Sequence, residues 1–271
     1  MTGAIVSATA VEWSKLWSQA RTRAVLAACA AAPLAFTVAM RAQSSVPSDT
    51  LFGRAVNESG FATPLVMLGF SGLWVLPVIA SLAGGDIFAA EYRYRTWAIV
   101  LTRSRSRPEL FAAKVAAAFA FCALAVTTLA ASATAAGVLG VGAQPLVDLS
   151  GVVLPPVAAL QRIALAWISV LPPCLAFVAL AIAIAVTTRS GVAAVGLPVL
   201  AAFAMQLSGV LDTSDAARRV LLTTAFESWH GLLASPLFYR PLIYGTLVSG
   251  VYTFVCMAAA YLVFCTRDIV A

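Results

Sequence analysis

Charged residues are scarce in this sequence. Only 10% of its 271 residues are Asp, Glu, Lys or Arg, whereas a soluble domain carries about a quarter. A polar coat over the whole chain is therefore excluded. Histidine is scarcer still, with His230 alone, which excludes a His-rich metal site. The five cysteines (Cys29, Cys122, Cys174, Cys256 and Cys265) all fall in apolar stretches and form no C-x-x-C pair. They read as small packing residues. Of the 17 basic residues only Lys15 and Lys114 are lysines, and neither follows a glycine, so the chain has no G-x-x-x-x-G-K-[ST] phosphate loop. It has no G-x-S-x-G and no H-E-x-x-H either. These absences predict no catalytic residue, no metal and no cofactor in this chain. Coupled work, if done, must be powered by a partner.

What is present is apolar surface. Hydrophobic residues make up 62% of the chain, and its mean hydropathy is +0.95. Crossing a hydrocarbon core of about 30 Å takes about 20 apolar residues. Six stretches meet that need: 24–40, 61–84, 115–140, 163–187, 192–211 and 242–265. None contains an Asp, Glu, Lys or Arg, as lipid-facing helices require. An intramembrane hydrolase or proton relay would lack its ionisable groups. The expected fold is an all-α integral membrane protein, one domain over 1–271 with six transmembrane helices. The first residues hold Glu12 and Lys15 and lack a small-residue cleavage site, so they do not read as a signal peptide.

The net charge of +6 is explained by orientation, without nucleic acid. Placing the N-terminus inside puts Lys15, Arg21, Arg23, Arg93, Arg95, Arg103, Arg105, Arg107, Lys114, Arg189 and Arg267 in the cytoplasm. Arg41, Arg54, Arg162, Arg218, Arg219 and Arg240 then lie outside. The positive-inside bias favours both termini in the cytoplasm, with the plasma membrane as location.

Several segments between spans carry local signals. Over 6–20, Trp13, Leu16, Trp17 and Ala20 recur at helical spacing opposite Glu12, Lys15 and Gln19, which predicts an interfacial helix touching lipid. Gly84-Gly85 is expected to break the second span, with Asp86 capping a new helix that carries Phe88, Glu91, Tyr92 and Arg93. On it, Glu91 and Arg95 are spaced to pair. Ser106-Arg107-Pro108-Glu109 fits a capping box that starts the third long helix before Lys114. Pro77, Pro172-Pro173 and Pro198 are expected to interrupt the second, fourth and fifth spans. The apolar segment 149–160 and the segment 211–239, which mixes charged residues with Leu221, Phe226, Trp229, Leu232, Leu233 and Phe238, read as interfacial or re-entrant elements on the outer face.

The stretch from Gly85-Asp86-Ile87-Phe88 through Glu91-Tyr92-Arg93-Tyr94-Arg95-Thr96-Trp97 to Ser106-Arg107 and Lys114 resembles the ABC-2 permease family, the membrane subunits of bacterial ABC exporters. Arg95 stands where that family often has Gly, so its Gly-Thr pair is half present. Glu12-Trp13-Ser14-Lys15-Leu16-Trp17 is similar to the amphipathic N-terminal helix of many such permeases. The sequence-level match covers about forty residues, and the six-span layout agrees along the whole chain.

The resemblance implies an exporter moving a hydrophobic or amphipathic substrate by alternating access. Two separate ATPase subunits, which would hold ATP and magnesium, and a second permease, identical or homologous, are its implied partners. It also implies that the helix after span two couples to the ATPase through Asp86, Phe88, Glu91, Tyr92, Arg93, Arg95 and Thr96. Trp74, Met205 and Gln206 are the residues within spans considered first for a substrate path. The alternatives are a non-transporting membrane scaffold or sensor subunit, and an importer permease, whose late cytoplasmic loop would have to fit near 188–191.

Overall fold

The computed structural model describes residues 2–42, 50–94, 106–210 and 215–266. Ten α-helices lie among them: α1 (Thr2–Ser18), α2 (Ala20–Ala42), α3 (Ala62–Leu73), α4 (Val75–Arg93), α5 (Arg107–Gly140), α6 (Pro156–Ser169), α7 (Leu171–Thr188), α8 (Gly191–Val210), α9 (Asp215–Val220) and α10 (Arg240–Thr266). Short 3-10 segments cover Gly53–Asn57 and Leu222–Leu233, and a two-stranded hairpin pairs Leu146–Val147 with Val153–Leu154. Six stretches are long and apolar enough to cross a membrane: Ala20–Ala42, Val75–Arg93, Arg107–Gly140, Pro156–Thr188, Gly191–Ser208 and Arg240–Thr266. The chain is a multi-pass membrane protein.

The spans divide into two kinds. Of the apolar window in α4, 72% is buried inside the protein, against 17% in each of α2, α8 and α10. The core is therefore α4, α5 and the α6–α7 pair, and the remaining three helices turn apolar sides outward. Exposed Leu and Phe side chains such as Leu200, Phe203, Leu247 and Phe254 are what lipid-facing surface requires, because no water competes there.

Gly84 and Gly85 do not break the second span, contrary to the sequence expectation. Both lie inside continuous α4. A Cβ at Gly84 would sit 2.4 Å from the Val178 carbonyl oxygen of α7, and one at Gly85 would sit 3.0 Å from the Ala194 carbonyl oxygen of α8. The glycines let two neighbours seat closely on α4, the usual role of small residues between membrane helices. Asp86 is thus no helix cap.

The breaks fall elsewhere. One lies at Trp74, between α3 and α4, and the other at Val170, between α6 and α7. Pro77 and Pro172-Pro173 sit just after them, in first turns, where a missing N–H costs nothing. Pro33 and Pro198 are carried inside α2 and α8. The capping box holds: Ser106 Oγ accepts from Glu109 N–H and the Glu109 carboxylate accepts from Ser106 N–H at 3.2 Å.

The first residues of α5, α1 and the last turn of α10 lie at one end of the bundle. Arg107 Nη1 donates to the Cys265 carbonyl at 3.2 Å, and Lys114 reaches α1. The opposite end is closed by the hairpin and by the 3-10 segment, which buries Phe226, Trp229, Leu232 and Leu233. Residues 149–160 and 222–233 are thus packed as a cap, in part by a hairpin that periodicity did not predict.

Asp148 holds that cap together. Its Oδ1 accepts from the Ser150 and Val152 amides at 2.9 Å each, and its Oδ2 from Ser235 Oγ at 2.5 Å and Arg162 Nη1 at 3.4 Å. Burial works against the carboxylate, but the Ser235 hydroxyl, the two amides and Arg162 outweigh it and hold its pKa below the ordinary 3.8. A group with a depressed folded-state pKa contributes stability above its unfolded value and loses it as pH falls through the folded value. The cap should therefore hold at neutral pH and loosen in acid, below about pH 4. Asp148→Asn is expected to cut hydrogen-exchange protection of the Ser150 and Val152 amides about tenfold at pH 7. Unchanged protection in the variant would show that Asp148 holds nothing there.

Candidate functional site

The densest concentration of charge lies at the α1 end. Its residues come from four helices, α1, α2, α4 and α5. Residues four apart share one face of a helix, and over residues 6–18 of α1 the buried positions are Ala8, Glu12 and Leu16. Glu12 therefore points into the protein, not to solvent with a polar face as the sequence pattern suggests. Lys15, one turn away, stays half-exposed. From α4, the last two turns bring Asp86, Glu91 and Arg93, and from α5 the third turn brings Lys114.

These groups form two linked sets. Lys114 Nζ donates to Glu12 Oε2 at 2.7 Å, to Glu91 Oε1 at 3.0 Å and to the Ile87 carbonyl at 3.3 Å. Lys15 Nζ donates to Glu12 Oε1 at 2.8 Å and to Glu91 Oε1 at 3.1 Å. The Lys114 side chain is 1% exposed. In the second set Asp86 pairs with Arg21 of α2 and, at 3.3 Å, with Arg93. Two ammoniums against two carboxylates make the first set neutral, which is the condition for burying such charges at tolerable cost. Burial opposes the Lys15 charge, yet Glu12 and Glu91 outweigh it and push its pKa above the ordinary range. Lys15 thus stays protonated at physiological pH.

The arrangement joins helices; it has no nucleophile–base geometry. Among the described residues no group of three His, Cys, Asp or Glu side chains is placed to hold a metal. The cluster anchors α1, which is otherwise an end helix with little to bury, onto α4 and α5.

The residues singled out from the sequence separate here. Asp86 and Glu91 are 8% and 7% exposed, so they are internal ion partners and no docking surface. Phe88 is fully buried in an aromatic group, with ring centroids 5.6 Å from Phe111 and 5.7 Å from Phe264. Tyr92 is half-buried with the Arg189 guanidinium 5.7 Å from its ring. Arg93 and Tyr94 are exposed and stack at 5.1 Å. Arg95 and Thr96 lie outside the described residues, and the expected Glu91–Arg95 pair with them. On α1, Trp13 packs partly against the core while Trp17 is exposed.

At the α3–α4 break, Gln206 Nε2 donates to the Leu73 carbonyl at 3.3 Å and Trp74 packs 5.8 Å from Phe203. Met205 lies partly buried nearby in α8. Gln206 therefore satisfies a carbonyl that the break releases from the helix ladder.

Sequence reasoning missed Glu12, Arg21 and Lys114 as site residues. One signal was available: Glu12 shares the four-residue stripe of Ala8 and Leu16, so a buried face on α1 carries an acid that must find a cation.

The model of DUF2705, a family described as protein of unknown function, matches residues 34–270. The chain belongs to that family. The DUF2705 match takes in Asp86, Glu91, Arg93 and Lys114 but begins within α2, beyond Glu12, Lys15 and Arg21. Only one side of the ion cluster thus lies within the DUF2705 region. No curated protein matches the chain.

Proposed function

We propose that the chain is the membrane subunit of an ATP-driven exporter that moves a hydrophobic or amphipathic substrate across the plasma membrane. The observation that carries this reading is the buried ion cluster. It fastens α1, α4 and α5 into one unit at the end where Arg93 and Tyr94 are exposed and where the chain continues toward Ser106. A push delivered there would move three helices together. Its partners would be two ATPase subunits, carrying ATP and magnesium, and a second permease copy or homologue. Both termini would face the cytoplasm, and the cap built on Asp148 would face outward. The segment resembling the ABC-2 permeases would contribute to docking through its exposed residues, Arg93 and Tyr94, while Asp86 and Glu91 would transmit the load inward.

An importer permease is disfavoured by the α7–α8 connection. It consists of Arg189 and Ser190 alone, which leaves no room for a long coupling loop late in the chain.

The test is copurification from native membranes. An ATPase-sized protein bearing a Walker A loop should come down with the tagged chain. Tyr94→Ala should lower its yield at least about tenfold, as truncating an interface aromatic does, at unchanged levels of the membrane subunit. Absence of any such ATPase would favour a scaffold or sensor subunit, and a Tyr94→Ala complex that copurifies and hydrolyses ATP like wild type would remove this surface from coupling.

A further inference from the structure

A cavity of about 450 Å³ opens at the end of the bundle opposite α1, within the size range of small-molecule sites. Its walls are apolar: Phe36 and Met40 from α2, Met67 and Phe70 from α3, and Phe226 and Trp229 from the 3-10 segment. Among the described residues no Lys or Arg lines it, and the ionisable lining residues are Glu227 and His230. The sequence holds no other histidine, and its ring lies 4.2 Å from that of Trp229. A second, more open groove along α10 is lined by Arg218, Arg219 and Arg240, so basic charge gathers at a different place on the same end.

From this charge pattern we infer that the cavity binds amphiphiles with an apolar aromatic or aliphatic body and a cationic head, with Glu227 as the counter-ion. Glu227 is exposed at the rim, where a ligand cation can reach it; partial desolvation there pushes its carboxyl pKa up, against the pull of Arg218 through space. A cation at the rim would relieve that penalty by supplying the missing charge. Burial lowers the His230 pKa, so at neutral pH the imidazole adds no positive charge to repel the ligand. Trp229 and Phe226, each 1% exposed, back the apolar wall, and Phe70, which is exposed, adds a ring that attracts cations as well as apolar contact. The inference concerns binding alone and stands whether or not the chain transports anything.

Tetraphenylphosphonium and tetraphenylborate test it, being matched in shape and opposite in charge. Binding of each radiolabelled ion to the purified full chain would be measured by equilibrium dialysis in dodecyl maltoside, an uncharged detergent. The wild type should bind the phosphonium at one site at least about tenfold more tightly than the borate. Glu227→Gln should lose that preference, with phosphonium affinity falling at least about tenfold. Gly69→Leu supplies a second arm. A Cβ at Gly69 lies 3.8 Å from Trp229 Cζ2, so the new side chain has room to start and then fills the cavity, and saturable binding should vanish. Should Glu227→Gln fail to give monodisperse protein, the wild-type preference and the Gly69→Leu block decide together. Equal binding of both ions, no saturable phosphonium binding, or undiminished binding in a well-behaved variant would overturn the proposal. Displacement of the phosphonium by short-chain phosphatidylcholine as readily as by unlabelled phosphonium would assign the cavity to lipid instead, and overturn it too.

Discussion

Lys114→Met should destabilise the protein by about 3–5 kcal/mol, the usual result of removing one partner from a buried ion pair. The substitution keeps the aliphatic stem but leaves Glu12 and Glu91 sharing the half-exposed Lys15 ammonium. Two readouts are expected to move together: a lower thermal unfolding midpoint in detergent, and faster proteolysis of α1, whose buried anchor is Glu12. Adding Glu12→Gln and Glu91→Gln to Lys114→Met should recover much of the loss, since no uncompensated charge then remains inside. A single variant as stable as wild type would mean that water reaches the cluster. Failure of the triple variant to recover would mean that packing of the Lys114 stem, not its charge, is what matters.

Gly84→Leu should be worse. Its Cβ would lie 2.4 Å from the Val178 carbonyl oxygen and 3.1 Å from the Ala181 Cβ, so α4 and α7 must separate along the heart of the bundle. Backbone cannot give way as a flexible side chain does, and the cost should exceed the about 1–3 kcal/mol of ordinary overpacking. Little folded protein should be recovered after mild solubilisation. Gly196→Leu is the matched control, because nothing lies within 4 Å of a Cβ there. Normal yield for both variants would mean that the close approach of α4 and α7 is not needed. Poor yield for both would mean that added bulk in any span, and not this contact, is responsible.

The pattern of apolar runs was enough to locate the spans, because a bilayer demands length and lack of charge and little else. The span expected at 242–265 widened to Arg240–Thr266, since helices extend past the hydrocarbon, while the third helix begins at Arg107, as its capping box predicted. The Ser106 capping box was legible because it is local. Gly84-Gly85 was misread because glycine signals a break only when no neighbour needs the space. Here the information that decides it sits nearly a hundred residues away at Val178. Glu91 was read only in part for a related reason: its spacing to Arg95 offers a local partner, but local spacing cannot reveal Lys15 of α1 and Lys114 of α5, both of which pair with it. Long-range pairing of Glu12 with Lys114 leaves only a faint mark in sequence, one acid on an otherwise apolar stripe. The hairpin around Asp148 was invisible to periodicity because each strand has two residues.

Among the most buried spans, α5 differs from the others in being unjointed. The second span follows the Trp74 break and the fourth bends at Val170, but α5 runs 34 residues without interruption. At 1.5 Å per residue it is about 50 Å long, against a hydrocarbon core of about 30 Å. It is a stiff rod that stands proud of the membrane or lies steeply oblique within it. Near one tip it is bolted to α1 and α4 through Lys114. Near the other, Gly137 presses backbone to backbone on Gly60, where a Cβ would come within 2.1 Å of a carbonyl oxygen. Displacement at one tip would reach the other with no intervening joint to absorb it, while α3–α4 and α6–α7 can each flex at their breaks.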